Sequence, residues 1–258
     1  MEPGVLRDAL TLVLGLATGV MSALFGVGGA VVSTPGIRAL GASAVVAVGT
    51  TLPSIIPGAI SGTSRYVREG FIRWRVVRWA APFGIAASVG GSLLSKAVPG
   101  DGHWLMVLTA ALLGWTAWRM AKRPDAVGAH EHVERDSPST LAVTGAAAGL
   151  LSGLLGVGGG IVMVPAFSEV VGLPLKTSIA TSLACVAMFA VPGTITHAAL
   201  GDIDWRFALL LAAAVVPGAR LGAHLTIRTA DERLRTVVAV FLGAIAIVYA
   251  VGELVALR

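Results

Sequence analysis

Residues 145–165 have the sequence GAAAGLLSGLLGVGGGIVMVP, an apolar run in which a dense glycine cluster is followed by a proline. Residues 15–35, GLATGVMSALFGVGGAVVSTP, have the same pattern. Glycine in an apolar helix either lets neighbouring backbones approach closely or interrupts the helix. Two such stretches in one chain predict closely packed membrane helices that are broken at matched positions.

The composition supports a membrane environment. Of the 258 residues, 55% are hydrophobic and only 13% are charged, and the mean hydropathy is +0.84. An ordinary soluble domain carries about 25% charged residues. Segments near the length that crosses a bilayer recur along the chain. There are eight, at about residues 10–37, 42–64, 76–97, 104–121, 141–167, 177–200, 207–227 and 234–255. The start of the chain lacks the basic region and cleavage site of a signal peptide, so we expect the first segment to remain in the mature protein.

The two halves of the chain repeat each other. Matching residues lie 130 positions apart up to Pro35 and Pro165, and 131 apart after one inserted residue. Chance would not keep rare residues such as Trp74 and Trp205 in register. Further matched pairs are Gly15 and Gly145, Ser22 and Ser152, Thr50 and Thr181, Thr63 and Thr194, and Gly91 and Gly222. We therefore predict a first transmembrane repeat over residues 1–121, a polar linker over 122–138 and a second repeat over 139–258.

The predicted fold is all-α and polytopic, with two homologous and inverted repeats and glycine-broken helices. Inversion requires the first and fifth segments to return to their own side of the membrane. Loop charges then divide thirteen basic residues against five, whereas eight full spans divide them twelve against six. The positive-inside rule favours inversion by one residue only. Inverted repeats with broken helices at the binding site are a recurring transporter design.

The duplicated motif resembles that of the TauE/SafE family of sulfite exporters, also called the TSUP family. The resemblance rests on GVGGA at residues 26–30 with Pro35, GVGGG at 156–160 with Pro165, and the Pro-Gly-Ala-x-x-Gly pattern at 217–222. It covers nearly the whole chain. Ala30 departs from the second copy, which leaves open whether both copies contact substrate equally. The resemblance implies transport of sulfite, thiosulfate, sulfoacetate or another small sulfur-containing or organic anion across the cytoplasmic membrane.

The glycine clusters are the first candidate substrate site. A break frees backbone N–H groups, and the helix that restarts after it points its positive dipole end at the break, which suits a small oxyanion. Tight helix packing without a site is the alternative. The candidate residues are Gly26, Gly28 and Gly29 in the first copy and Gly156, Gly158, Gly159 and Gly160 in the second.

Polar residues inside the apolar segments extend this candidate site. Thr50 and Thr51 match Thr181 and Ser182, and their hydroxyls either donate to an anion or bond to their own helix. Arg220 is a charge deep in an apolar run, where it either binds the anion through its planar guanidinium or snorkels. His197 and His224 are the embedded titratable groups, and we expect them to be structural rather than pH-responsive. The acidic residues lie at segment ends or in loops, so we expect no carboxylate proton relay.

Other features have plainer explanations. His130 and His132 in the linker lack further ligands, so we assign no metal and no cofactor. The arginines between residues 65 and 78 are typical of a cytoplasmic loop, and we expect membrane lipid rather than nucleic acid as their neighbour. Cys185 is the only cysteine, so no disulfide can form within the chain.

The predicted function is secondary transport of a small anion by alternating access between two repeats. A coupling proton or sodium ion is a further expected partner, and the oligomeric state is left open. A passive anion channel would share the glycine breaks and is the main alternative. An intramembrane enzyme would need a nucleophile with a base, or a metal cluster, inside the apolar segments, and the sequence has neither a His-Glu-x-x-His motif nor an acidic pair there.

Overall fold

The structure is a computed structural model that describes residues 4–95, 103–122, 137–155 and 158–256. Across these residues the chain forms helices and contains no strand. The helices are α1 (Val5–Phe25), α2 (Ala30–Ala39), α3 (Ala44–Arg68), α4 (Trp74–Ser95), α5 (His103–Lys122), α6 (Pro138–Leu155), α7 (Gly160–Ala166), α8 (Leu175–Ala199), α9 (Trp205–Arg228) and α10 (Asp231–Ala256). A π-helical turn, Phe167–Val171, extends α7. The all-α prediction is confirmed.

Six of the described helices are long and apolar enough to cross a membrane, namely α1, α3, α6, α8, α9 and α10. Helices α4 and α5 have 22 and 20 residues, but tryptophan and arginine lower their hydropathy. The eight predicted segments thus correspond to ten α-helices in the described part of the chain, because the first and fifth segments each divide in two at a glycine cluster. Most of the predicted linker, including both of its histidines, lies outside the described residues.

Glycines allow α1 to pack closely along α9. A Cβ atom placed on Gly15 would lie 2.9 Å from the Leu211 carbonyl oxygen, and one on Gly19 would overlap the Val215 carbonyl oxygen. The contacts advance in the same direction along both helices, since Gly222 lies against Val20 farther along. Helices α1 and α9 are therefore parallel, and each comes from a different half of the sequence.

Glycines also allow α6 of the second half to pack closely along α4 of the first half. Gly145 in α6 lies against Ala80 of α4, and Gly149 lies against Gly84. Gly91 of α4 in turn contacts Leu150 of α6. Helices α4 and α6 are therefore parallel as well. The repeat relates α6 to α1 and α4 to α9, so each half contributes one helix to each of two equivalent pairs.

Helices α3 and α8 run antiparallel through the centre of the bundle. Gly62 of α3 lies 2.8 Å, measured from a built Cβ atom, from the side chain of Leu183, and the matching Gly193 of α8 lies 3.3 Å from the side chain of Leu52. The two contacts are related by the repeat, and the later residue of α3 meets the earlier residue of α8. The two central helices thus connect the α1–α9 pair to the α4–α6 pair.

Candidate functional site in the glycine-broken helices

The first break follows directly from glycine conformation. Helix α1 ends at Phe25, and α2 begins at Ala30. Between them, Gly26, Gly28 and Gly29 have φ values of 69°, 91° and 77°. A side chain at such positive φ costs roughly 1–2 kcal/mol per residue, so glycine is the residue that turns the chain here.

The second break has the same conformation. Gly158 and Gly159 have φ values of 88° and 69°, and α7 begins at Gly160. Gly156, the first member of the predicted cluster, lies outside the described residues. The matched dihedral angles explain why the glycine motif occurs twice in the sequence.

After the first break, α2 returns alongside α1. A Cβ atom on Gly29 would lie 2.7 Å from the methyl carbon of Thr18, and one on Gly36 would lie 2.5 Å from the side chain of Leu14. As α2 advances, its neighbours therefore move back along α1. The first apolar segment is a helical hairpin whose tip is the glycine cluster.

The two glycine tips touch each other. A Cβ atom on Gly160 would overlap the carbonyl oxygen of Gly26, and one on Gly158 would lie 3.2 Å from the carbonyl oxygen of Val27. The same Gly158 position lies 3.3 Å from the side chain of Val186, in the middle of α8. The described residues of both tips, 26–29 and 158–160, are buried. Irregular backbone is therefore enclosed by protein at the centre of the bundle, as a membrane interior requires.

The matched threonines hold the halves together. Thr50 Oγ1 accepts a hydrogen bond from the backbone N–H of Asp204 at 2.9 Å, and Thr181 Oγ1 accepts one from the N–H of Arg73 at 3.1 Å. Arg73 and Asp204 are themselves repeat-related and immediately precede α4 and α9. Each central helix thus binds the start of a helix in the opposite half.

The adjacent hydroxyls behave differently from each other. Ser182 donates to the carbonyl oxygen of Gly26 at 2.8 Å, so α8 directly contacts the first glycine tip. Thr51 donates to its own helix at the Val48 carbonyl oxygen, and it also lies 3.5 Å from the hydroxyl of Thr34 in α2. Of the four predicted hydroxyls, Ser182 is the one bonded to a tip residue, and protein groups already occupy all four.

Two hydroxyls beside the tips have no partner among the described residues. Thr18 and Ser152 are 2% and 1% exposed, and neither hydroxyl oxygen has a hydrogen-bond partner. Thr18 lies against Gly29, and Ser152 lies against Gly159 with 3.2 Å between its Cβ and a built Cβ on the glycine. Buried polar groups without a partner are unusual in proteins. These are the polar side chains best placed to bind a ligand at the tips.

Sequence reasoning did not single out Thr18 or Ser152 as site residues. Ser152 is a member of the repeat, matched by Ser22, and Thr18 lies one helical turn before Ser22 on the same face. The repeat is the sequence signal that could have identified Ser152, and the spacing of one helical turn from Ser22 is the signal that could have identified Thr18. Backbone donors add to these hydroxyls, since the N–H groups of Val27, Gly28 and Gly29 donate no hydrogen bond within the described part of the chain.

A second matched pair, Thr63 and Thr194, also has unpartnered buried hydroxyls within the described residues. Thr63 follows Gly62 in α3, and Thr194 follows Gly193 in α8. Their glycine neighbours contact the opposite central helix. The two hydroxyls therefore lie at matched positions along the α3–α8 pair.

Arg220 lies elsewhere. Its side chain is exposed on α9 and lines a groove of about 390 Å³. The other residues lining this groove are Ser64, Arg65, Arg68, Leu221 and His224. None of them belongs to a glycine tip or to the matched hydroxyls. The structure therefore does not bring the predicted arginine together with the predicted glycines.

His197 occupies a specific environment at the end of α8. It is 3% exposed, and its Nδ1 lies 3.2 Å from Asp202 Oδ2. Asp202 in turn packs against Gly49 at the start of α3. The repeat-related residue is Tyr66, whose hydroxyl donates to the Ala23 carbonyl oxygen at 2.7 Å. Both residues therefore form hydrogen bonds near the ends of the central helices.

In the described part of the chain, no group of three or more His, Cys, Asp or Glu residues comes together. Cys185 is buried in α8 and forms no disulfide. The hydroxyls of Thr18 and Ser152 and the N–H groups of the first tip are neutral groups that can donate hydrogen bonds to an anion.

Comparison with known proteins identifies relatives that are membrane transporters. The family profile described as "Sulfite exporter TauE/SafE" matches residues 11–249. The chain is 28% identical to the probable membrane transporter protein YunE of Bacillus subtilis, with 84% of this chain and 86% of that protein covered. It is 29% identical to a probable membrane transporter protein of Xylella fastidiosa, strain 9a5c, with 85% of each covered. With MJ0441 of Methanocaldococcus jannaschii, also named a probable membrane transporter protein, the identity is 24% over 91% of this chain and 92% of that protein. No solved structure matches the chain.

Proposed function

Because this chain belongs to the sulfite exporter TauE/SafE family and is a multi-pass membrane transporter rather than an enzyme, we propose that it carries a small oxyanion across the cytoplasmic membrane. The substrate class is a sulfur-containing or organic anion such as sulfite, thiosulfate or sulfoacetate. One observation carries the proposal: two buried glycine tips meet at the centre of the bundle beside unpartnered hydroxyls.

The chemistry of the tips fits an oxyanion. Hydroxyls of Thr18 and Ser152 and the N–H groups of Gly28 and Gly29 are donors without acceptors within the described residues. The start of α2 adds the positive end of its helix dipole. Hydrogen bonds to a charged acceptor are worth about 1.5–3 kcal/mol each, so a few of them can replace much of the hydration of a small anion. Neutral donors also allow release, which transport requires.

Alternating access is the proposed mechanism. Each glycine tip contacts the other, and Ser182 of the second half is bonded to the tip of the first. Movement of one half against the other would therefore open the tips toward one end of the bundle at a time. Each half contributes one helix to the α1–α9 pair and one to the α4–α6 pair, and the central helices α3 and α8 run antiparallel. These relationships support two inverted halves, which is the arrangement common in secondary transporters.

The ends of the bundle also support inversion. Arg206 at the start of α9 forms an ion pair with Asp8 near the start of α1 at 2.5 Å. Arg119 near the end of α5 pairs instead with Glu169 in the turn that follows α7. In the proposed arrangement, the first pair lies at the outer end and the second at the cytoplasmic end, together with the central linker.

A flux assay in proteoliposomes tests the function. We expect uptake of sulfite, thiosulfate or sulfoacetate in preference to chloride, and acceleration by an imposed proton or sodium gradient. Flux that ignores both gradients and conducts chloride equally well would identify a passive channel instead. Variants of the glycine tips, such as Gly158→Val, can be tested in the same assay. Their matched control is Gly90→Val, because a Cβ atom on Gly90 meets nothing within 4 Å.

A further inference from the structure

The groove containing Arg220 has a strong positive charge on a membrane-facing surface. Arg65, Arg68, Arg220 and His224 line it, and Arg65 forms an ion pair with Glu69 at 3.0 Å. Neither Arg68 nor Arg220 has an acidic partner among the described residues. Two guanidinium groups are therefore left without a counter-charge in one groove.

The position of Arg220 makes this charge costly. It lies eight residues before Arg228 at the end of α9, which is about 12 Å along the helix axis. The next residue, Leu221, is 54% exposed, and Leu225 is also exposed. Because these leucines face the hydrocarbon, Arg220 lies on the lipid-facing side and must either snorkel or be neutralised there.

The repeat supplies an internal comparison. The positions related to the groove lie between α8 and α4, and they are Ile195, Thr196, Ala199, Val89, Gly90 and Leu93. None is charged, and three of them are exposed hydrophobic side chains. The scaffold therefore does not need arginines to close this contact. Of the two repeat-related positions, only the groove between α3 and α9 carries positive charge.

We propose that this groove binds the headgroup phosphate of an anionic phospholipid. Arginine matches phosphate oxygens in bidentate geometry, and three arginines less one glutamate leave a net positive charge that a zwitterionic headgroup would meet less well. Exposed apolar residues beside the groove, Ile60 on α3 and Leu221 on α9, are placed to contact the acyl chains. A free anion would make no use of that apolar border.

Native mass spectrometry of the purified full chain tests the site. Wild type incubated with equal amounts of phosphatidylglycerol and phosphatidylcholine should retain phosphatidylglycerol, and Arg68→Gln with Arg220→Gln should reduce that retention roughly tenfold, the loss of about 1.4 kcal/mol. Arg228→Gln with Arg233→Gln removes two exposed basic residues at the same end outside the groove, and should retain the lipid. Arg68→Lys with Arg220→Lys should give intermediate retention, because charge remains without the planar fork.

Equal retention by wild type, groove variant and control would overturn the proposal. So would displacement of the lipid by inorganic phosphate at low millimolar concentration, since that result would identify a site for soluble anions. Lipid retention is measured without substrate or flux. Failure of the transport assay therefore leaves this test unaffected, and the two proposals can fail separately.

Discussion

The hydroxyl of Thr50 lies 2.9 Å from the backbone nitrogen of Asp204, which is 154 residues away and in the other half of the sequence. The related bond joins Thr181 to Arg73 at 3.1 Å. The two threonines that the repeat places at matched positions thus each bind the start of a helix across the boundary between the halves. Any movement of one half against the other would have to keep these two hydrogen bonds or break them.

Replacement of these threonines should therefore cost stability first. Thr50→Val or Thr181→Val leaves a part-buried N–H without its acceptor, which costs about 1–3 kcal/mol. Unfolding of the purified protein in mild detergent, followed by circular dichroism, should show this loss for both variants. Thr229→Val is the control, since its hydroxyl bonds only to its own exposed helix end. Stability equal to wild type in both variants would show that the cross-repeat bonds are unimportant.

The glycine tips should tolerate no side chain. Gly158→Val and Gly159→Val place β-branched residues at positive φ, and a Cβ on Gly159 would also lie 2.6 Å from the Ala148 carbonyl oxygen. Transport should be abolished in both while membrane insertion, measured by expression in the membrane fraction, is largely retained. Gly90→Val should transport at a rate close to wild type. Normal flux in the two tip variants would remove the glycine tips from the site.

The free hydroxyls should affect binding and not folding. Thr18→Val and Ser152→Ala remove donors that have no protein partner in the described structure, so unfolding stability should be unchanged or slightly increased. Loss of one hydrogen bond to an anion should weaken the apparent affinity about tenfold. The measurement is the concentration dependence of initial flux. Thr116→Val, whose hydroxyl bonds within its own helix, is the control.

A stability loss without a change in apparent affinity would reverse this assignment and make Thr18 and Ser152 structural. The comparison is informative because Thr50 and Thr181 are expected to give the opposite result. The pair Thr63 and Thr194, also without partners in the described residues, should resemble Thr18 if the anion passes along α3 and α8.

Inverted halves place the two ends of the first repeat on opposite faces of the membrane. Single cysteines at Val5 and Ser137, both exposed, test this in a Cys185→Ala background. A membrane-impermeant maleimide added to intact cells should label Val5→Cys, whereas Ser137→Cys should react only after the membrane is permeabilised. Labelling of both positions from the same side would end the inverted arrangement.

Much of the architecture could be predicted because it depends on local properties of the chain. Hydropathy identifies the long helices, and the glycine clusters identify the positions where the first and fifth segments break, since few other residues adopt positive φ. The matched spacing also relates Thr50 to Thr181 and Trp74 to Trp205. These features need only the sequence because each one is set by neighbouring residues or by comparison of the chain with itself.

The tertiary structure decided which polar groups are free. Thr50 and Ser182 are buried, but protein atoms from the other half occupy their hydroxyls. Thr18 and Ser152 remain without partners in the described residues, and Arg220 faces outward although its surroundings in sequence are apolar. Hydrogen bonds between residues more than 150 positions apart, and the rotation of each helix against its neighbours, leave no pattern in the sequence. Packing between the halves therefore determines which of many similar hydroxyls can meet an anion.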